Sequence, residues 1–392
     1  MRNSINKITL FIIFGINIFN PFNSIIAPIV NLFILFLITT RKGKLLAFSN
    51  FQKYLIKYSS LLLLLSVLIS LANLTFDPYV LGKFLRSLIN TILLCLIINN
   101  LNFKKNNYIN SLVLVFFLNT LAVIIQYYFP QTKLNFALFS DFNRSLDQLR
   151  SFGLFSSYDA TGLLTCISML SVWCLYRYSN KIIYLLLFFT FFLSSIYISR
   201  ITMLVASFIF LCCVFDYLRK NNFFSIKIIF LLTILIYLGN YVFNQIYTII
   251  FKSIVGDSLV NKTYSSSSGD ILMNEMVYFP DSLFNLFMGT GVSADGSDIG
   301  YVKIIFMIGI FGLFLIVNYY YQTHKKLMRI IKQKFSSHDL QFRSLKFFLV
   351  GFIVINFIFN FKLLLIYSRG FHELYLLLIL GFEKIYTKQF KY

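Results

Sequence analysis

Twelve apolar runs, the first and last of them short and the others near the length of a membrane span, follow one another along this chain with short basic clusters between them. They cover roughly residues 8–20, 25–40, 58–75, 84–99, 109–129, 159–176, 182–198, 201–217, 226–247, 299–320, 347–367 and 371–386. A helix needs about 20 apolar residues to cross a bilayer. No water inside the hydrocarbon satisfies backbone N–H and C=O groups, so only helices and closed barrels span it. The runs are continuous rather than alternating, which selects helices. The expected fold is an all-α polytopic bundle of about twelve transmembrane helices, with residues 1–392 forming a single membrane domain.

Composition excludes a soluble alternative. Of the 392 residues 58% are hydrophobic and only 12% charged, against about 25% charged in average soluble domains. A soluble chain of this length could not bury so much apolar surface. The net charge of +21 does not point to nucleic acid, because the basic residues form no single stripe. They mark sides instead. With the N-terminus inside, 24 of the 35 Lys and Arg fall on inner segments, and the alternation holds at every loop. Both termini are then cytoplasmic. Pro21, Pro28, Pro78, Pro130 and Pro280 all fall in or beside outer segments, as expected of a residue that costs about 3 kcal/mol inside a helix. Met1–Lys7 is basic and precedes an apolar run, but no A-x-A-like site follows. The first span is therefore expected to stay as an anchor.

Two outer loops are long, 130–158 and 248–298, and one inner loop, 322–346, is strongly basic. The second outer loop carries Ser265–Ser268 and then Ile271, Leu272, Met273, Glu275 and Met276, a pattern suited to a short interfacial helix. The five cysteines lie in apolar runs without CxxC spacing, and three scattered histidines build no metal site. No cofactor is expected. His324 and His338 are expected to be cytoplasmic and solvated.

Charges that break the sidedness rule are the candidates for chemistry. Arg144, Arg150, Arg200 and Arg369 are outer. Arg200 sits in the tight hairpin Ile198-Ser199-Arg200-Ile201-Thr202 near membrane depth, where an unpaired ion is costly. It either snorkels to the interface or binds an anion, and a guanidinium fork grips phosphate bidentately. Asp298 follows Gly289-Thr290-Gly291 at the start of span ten, as a helix cap or a general base. Asp77 and Asp159 read as caps. His372 and Glu373 open the last span, the histidine as a proton shuttle or a hydrogen-bonded structural residue. Tyr301 completes the candidates.

Arg150-Ser-Phe-Gly before a mid-chain span, Ser199-Arg200 in an outer hairpin, and Gly289-Thr-Gly291, Asp298-Ile-Gly300-Tyr301 and Gly309-Ile-Phe-Gly312 together resemble the Wzy-type O-antigen and capsule polymerases. These share an architecture with the O-antigen ligases. The motifs cover about 60 residues of the chain. The resemblance implies a GT-C-like, metal-independent glycosyltransferase of the bacterial cytoplasmic (inner) membrane. Its substrate would be undecaprenyl-pyrophosphate-linked oligosaccharide at the outer face, its product lipopolysaccharide or capsule glycan. A chain-length regulator, a flippase and membrane lipid are the implied partners. Arg150, Arg200, Arg369 and Arg144 would hold pyrophosphate, and Asp298 with Arg200 would be catalytic. The ligase branch has a histidine where this chain has Asp298. A ligase, a flippase or exporter of the lipid-linked unit, and a non-catalytic membrane protein are the rival readings. Most midspan regions lack charge, which disfavours a transport path.

Overall fold

The computed structural model describes residues 7–21, 26–43, 47–140, 150–155, 157–220, 276–294, 297, 299–336, 339–360 and 370–387. All regular structure among them is helical. The helices are α1 (Lys7–Phe19), α2 (Ile26–Lys42), α3 (Asn50–Ala72), α4 (Pro78–Asn100), α5 (Lys105–Tyr128), α6 (Lys133–Ser140), α7 (Tyr158–Ser179), α8 (Ile182–Ser194), α9 (Arg200–Lys220), α10 (Leu283–Met288), α11 (Gly300–Lys332), α12 (Leu340–Asn360) and α13 (Phe371–Thr387). Seven of these, α3, α4, α5, α7, α9, α11 and α12, are long and apolar enough to cross a membrane, and α1, α2 and α8 are shorter apolar helices. This is a polytopic helical membrane protein. The expected span 226–247 and the expected interfacial helix near 271 lie outside the described residues.

Internal contacts divide the chain into a unit of residues 1–207 and 279–392 and a unit of residues 208–278. In the first unit α7 lies against α5, α8 and α12, while α4 lies against α2, α3 and α13. Burial follows: 83% of the α7 span is buried against 33% for α3, which puts α7 inside the bundle and α3 at its edge. Polar side chains join helices where hydrophobicity gives lipid-immersed helices no reason to associate. Asn17 and Asn31 exchange reciprocal amide bonds of 3.0 and 2.8 Å between α1 and α2. Asn318 donates to the Tyr58 hydroxyl (2.7 Å) between α11 and α3.

The ends of the helices are stitched as well. At one end, buried Glu383 accepts from Ser49 Oγ (2.5 Å) and Gln52 Nε2 (3.4 Å). Next to it Lys384, which the charge pattern marks as a topogenic lysine, is buried and donates to the carbonyls of Ile98, Asn99 and Leu101. These are the orphan carbonyls that close α4, and a cation there also opposes the helix dipole.

Several expectations change. His324 is not solvated: it is buried, its Nδ1 lies 2.8 Å from Tyr320 O, and its ring stacks on Tyr375. The reason is that α11 runs on to Lys332, carrying the expected inner loop's first residues into the bundle. Asp159 does not cap α7; Ser157 does, accepting from Ala160 N at 3.1 Å. Asp77 does cap α4, accepting from Tyr79 N at 2.8 Å.

A break inside one helix provides the seat for a glycine-rich turn. Gly309 lies inside α11 with φ 68° and ψ −177°, a region that essentially only glycine occupies. The kink opens the Phe306 carbonyl, which accepts from Thr290 N (2.7 Å) and Thr290 Oγ1 (3.0 Å). A Cβ on Gly309 would overlap the Phe287 carbonyl, and one on Gly289 would come within 2.6 Å of Gly309 N. Gly289-Thr290-Gly291 is therefore a plug seated in a helix kink. Gly309→Ala should lower stability by roughly 1–3 kcal/mol. Gly82→Ala on the exposed face of α4, where a Cβ meets nothing within 4 Å, should raise it by up to about 1 kcal/mol. Thermal unfolding of the two variants in detergent checks this; equal midpoints would mean that the kink is dispensable.

Candidate functional site

The end of the bundle opposite Glu383 holds the glycine-bearing motifs and the outlying arginines Arg150 and Arg200. It holds the C-terminal ends of α1, α3, α5 and α8 and the N-terminal ends of α4, α7, α9, α11 and α13.

Its first half is built around the loop 150–155. Loop backbone inside a membrane bundle must find polar partners in the protein. Here α5 supplies them. Gln126 Oε1 accepts from Phe152 N (2.9 Å) and Gly153 N (3.0 Å), and Gln126 Nε2 donates to Gly153 O (2.6 Å). Asn119 Oδ1 accepts from Leu154 N (3.0 Å), and Thr161 of α7 donates to the Phe152 carbonyl. Gly153 has φ 60°, and a Cβ there would come within 2.5 Å of Asn119 Oδ1. Only glycine fits this turn. The Phe152 ring sits in a buried cluster with Val123, Tyr158, Ile198 and Ala137, the last on α6.

The loop is bound to the arginine hairpin. Ser151 N donates to Tyr197 O at 2.8 Å, so Arg150 and Arg200 flank two stretches of backbone joined by a hydrogen bond. Tyr197 stacks on Tyr127 of α5 with ring centroids 4.0 Å apart. The hairpin closes on itself through Ser199 Oγ and Thr202 Oγ1, 2.7 Å apart, and Thr202 presses on Gly162 so closely that a Cβ there would overlap it. Arg200 is exposed and Arg150 half-buried. Both thus stand next to this hydrogen-bonded pair of segments.

The second half lies on α4, α11 and α13. Glu373 Oε2 accepts from Gly370 N (2.8 Å) and its Oε1 accepts from Asn90 Nδ2 (2.5 Å). This is one half of a capping box, a carboxylate reaching back to the first backbone N–H of its own helix, where the helix dipole favours an anion. His372 Nε2 lies 2.9 Å from Ser87 Oγ and 3.1 Å from Thr91 Oγ1. Both side chains are fully buried. Glu373 holds the turn at Gly370, the residue after Arg369. Phe155 stacks on Phe371 at 5.4 Å and meets Phe19 edge-on at 5.6 Å, so the Arg150 loop and this turn are packed together.

Charge gathers beside them. Lys83, nearly buried, donates to the Tyr79 hydroxyl (2.9 Å) and lies over the Tyr79 ring. The charges of Arg86, Lys303 and Asp77 act on it, and that of Arg86 also reaches His372. Asp77 Oδ2 accepts from Ser293 N at 3.1 Å. Asn73 and Thr75 donate to the carbonyls of Gly289 and Thr290 at 3.2 and 2.9 Å. The glycine plug is therefore clamped between the ends of α3 and α4 and the kink of α11. Tyr301 donates to Phe357 O (2.7 Å) and so serves to join α11 and α12. Ser297 Oγ accepts from Ile299 N at 3.1 Å just before α11.

Compared with protein-family models and with curated proteins, the chain has no match. The site is read from its own geometry. Of the residues singled out in the sequence, Arg150, Arg200, His372, Glu373 and Tyr301 are placed at this end. Asp298, Arg144 and Arg369 lie outside the described residues. Arg86 and the clamp residues Gln126 and Asn119 are not among the sequence candidates. A polar or basic residue inside an apolar run is the available signal for each. Among the described residues no group of His, Cys, Asp and Glu could hold a metal.

Gln126→Leu removes the partners of two buried N–H groups and one carbonyl. Each orphaned group costs about 1–3 kcal/mol, so the variant should be less stable by at least about 2 kcal/mol. The Arg150 peptide bond should also become a faster trypsin site. An unaltered melting point together with unaltered cleavage at Arg150 would remove the clamp from the account.

Proposed function

We propose that this protein is a glycan polymerase. It joins lipid-pyrophosphate-linked oligosaccharide repeat units at the outer face of a bacterial cytoplasmic membrane, with undecaprenyl pyrophosphate as the lipid carrier. The observation that carries the reading is the backbone bond between Ser151 and Tyr197. It holds two arginine-bearing segments together on a clamped, buried scaffold, and a diphosphate demands two or more fixed cations. Arg86 and Lys303 add positive charge on the neighbouring helices of the same end. The resemblance of the Arg150, Ser199-Arg200 and glycine-plug motifs to Wzy-type polymerases agrees with this.

The chemistry is a glycosyl transfer. The acceptor sugar hydroxyl attacks the anomeric carbon of the donor glycan. A new glycosidic C–O bond forms as the C–O bond to lipid pyrophosphate breaks. The electron pair leaves on the pyrophosphate, where guanidinium groups stabilise the developing charge, usually the largest single contribution to such a reaction. The hydroxyl proton passes to a carboxylate, for which Asp298 is the candidate base. Arg150 and Arg200 hold the diphosphate. Arg369 assists next to the Gly370 turn that Glu373 holds, and Arg144 is a further candidate contact. No cofactor is required. Precast donors in this arrangement need no reorganisation during the reaction, which is the advantage of a rigid scaffold over flexible loops.

Arg200→Ala is expected to abolish long-chain glycan while the protein still inserts and accumulates. Arg200→Lys should restore little, since an ammonium is not a fork. Loss of one such donor lowers turnover by roughly 100-fold or more. Asp298→Asn should also shorten or remove the polymer. Glycan length on a gel is the readout. Wild-type ladders in the Arg200→Ala strain would end the polymerase assignment, and wild-type ladders in Asp298→Asn would confine that residue to the helix start.

A further inference from the structure

A half-open groove lies between α5, α7, α12 and α13, in the half of the bundle away from the arginine site. Its floor is apolar, lined by residues such as Leu112, Phe116 and Phe348. Its mouth is formed by Lys105, Tyr178 and Tyr386. The Lys105 ammonium lies 5.1 Å from the centre of the Tyr178 ring and 5.6 Å from that of Tyr386. Lys334 lies over Tyr386 as well, at 5.7 Å, and feels the charge of Lys105. Two like charges thus share one aromatic ring at the entrance to an apolar groove. Their repulsion becomes attraction if an anion sits between them. Among the described residues, Lys53, Lys57, Lys104, Arg177, Lys181 and Lys384 lie toward this same end of the bundle.

We propose that this groove is a binding site for an anionic phospholipid, with one acyl chain between α5 and α12 and its phosphate held by Lys105 and Lys334. Charge complementarity selects the occupant. A zwitterionic lipid brings its own cation to a mouth that already holds two, and a free phosphate leaves the apolar floor unused. The two phenols suit the headgroup boundary, where amphipathic rings collect. Each lysine near an anionic headgroup contributes about 1 kcal/mol.

The single tryptophan makes the test direct. Trp173 lies on α7 beside Cys174, a residue of the groove wall, so its fluorescence reports brominated acyl chains that enter. The full chain is reconstituted in phosphatidylcholine with increasing amounts of dibrominated phosphatidylglycerol, or of dibrominated phosphatidylcholine as comparison. The anionic lipid should quench at roughly 30-fold lower mole fraction, as two lysines at about 1 kcal/mol each imply. In Lys105→Gln/Lys334→Gln the two lipids should quench alike. In Val113→Phe, which fills the groove and keeps both lysines, the preference should also vanish, with thermal midpoints verifying that each variant folds. Equal quenching by both lipids in the wild-type chain overturns the proposal. A preference that survives loss of both lysines assigns the headgroup contact elsewhere and overturns it too. A preference that survives groove filling reduces it to surface attraction of charge. Inorganic phosphate at millimolar concentration should not displace the lipid; if it does, the site binds the anion and not the chain.

Discussion

Backbone polar groups that leave a helix inside a membrane protein have no water to turn to, and the architecture of this bundle follows from how they are satisfied. At three places backbone groups lose their helical partners, and in each a distant segment of the chain supplies new ones. Gln126 and Asn119 serve the loop 152–154. Thr290 serves the Phe306 carbonyl, freed by the Gly309 kink. Lys384 serves the carbonyls that end α4. The cost of an unpartnered group in low dielectric is several kcal/mol, which forces these pairings and makes the irregular segments rigid.

That rigidity is what turns scattered arginines into a candidate site. An arginine on a solvated loop would lose much side-chain and backbone freedom on gripping a diphosphate. Arg150 follows no such course, because the residues after it are pinned to α5 and to Tyr197. The Gly370 turn is held by a buried carboxylate, and the glycine plug by the ends of α3 and α4. His372 and Glu373, candidates for chemistry by residue type, are buried beside the Gly370 turn. Both are enclosed, and Ser87 and Thr91 meet His372 Nε2 while Asn90 donates to Glu373 Oε1.

Part of this is legible in the residues alone. The glycines at 153, 289 and 309 stand out in their motifs, and all three have the positive φ that favours glycine. The cap at Asp77 is legible from Pro78, which occupies the first helical position. The burial of His324 is not legible, because hydropathy marks where apolar character fades and does not mark where a helix ends. The helix α11 outlasts its apolar run by three turns, and its polar continuation still packs against α13. The short helices α6 and α10, of 8 and 6 residues inside the two long loops, are themselves too brief for a periodic signal.

The sequence by itself determined that the chain is helical, that it lies in a membrane, and which segments carry outlying charge. Those properties depend on local hydrophobicity and on length, and both are written in consecutive residues. Tertiary structure alone decided that Gln126 holds residue 152, that Lys384 closes α4, and that the Arg150 loop meets the Arg200 hairpin. A hydrogen bond between residues far apart in the chain has no local signature. A glutamine in an apolar run reads the same whether it faces lipid, a neighbouring helix or a loop, until packing brings its partner within hydrogen-bonding distance.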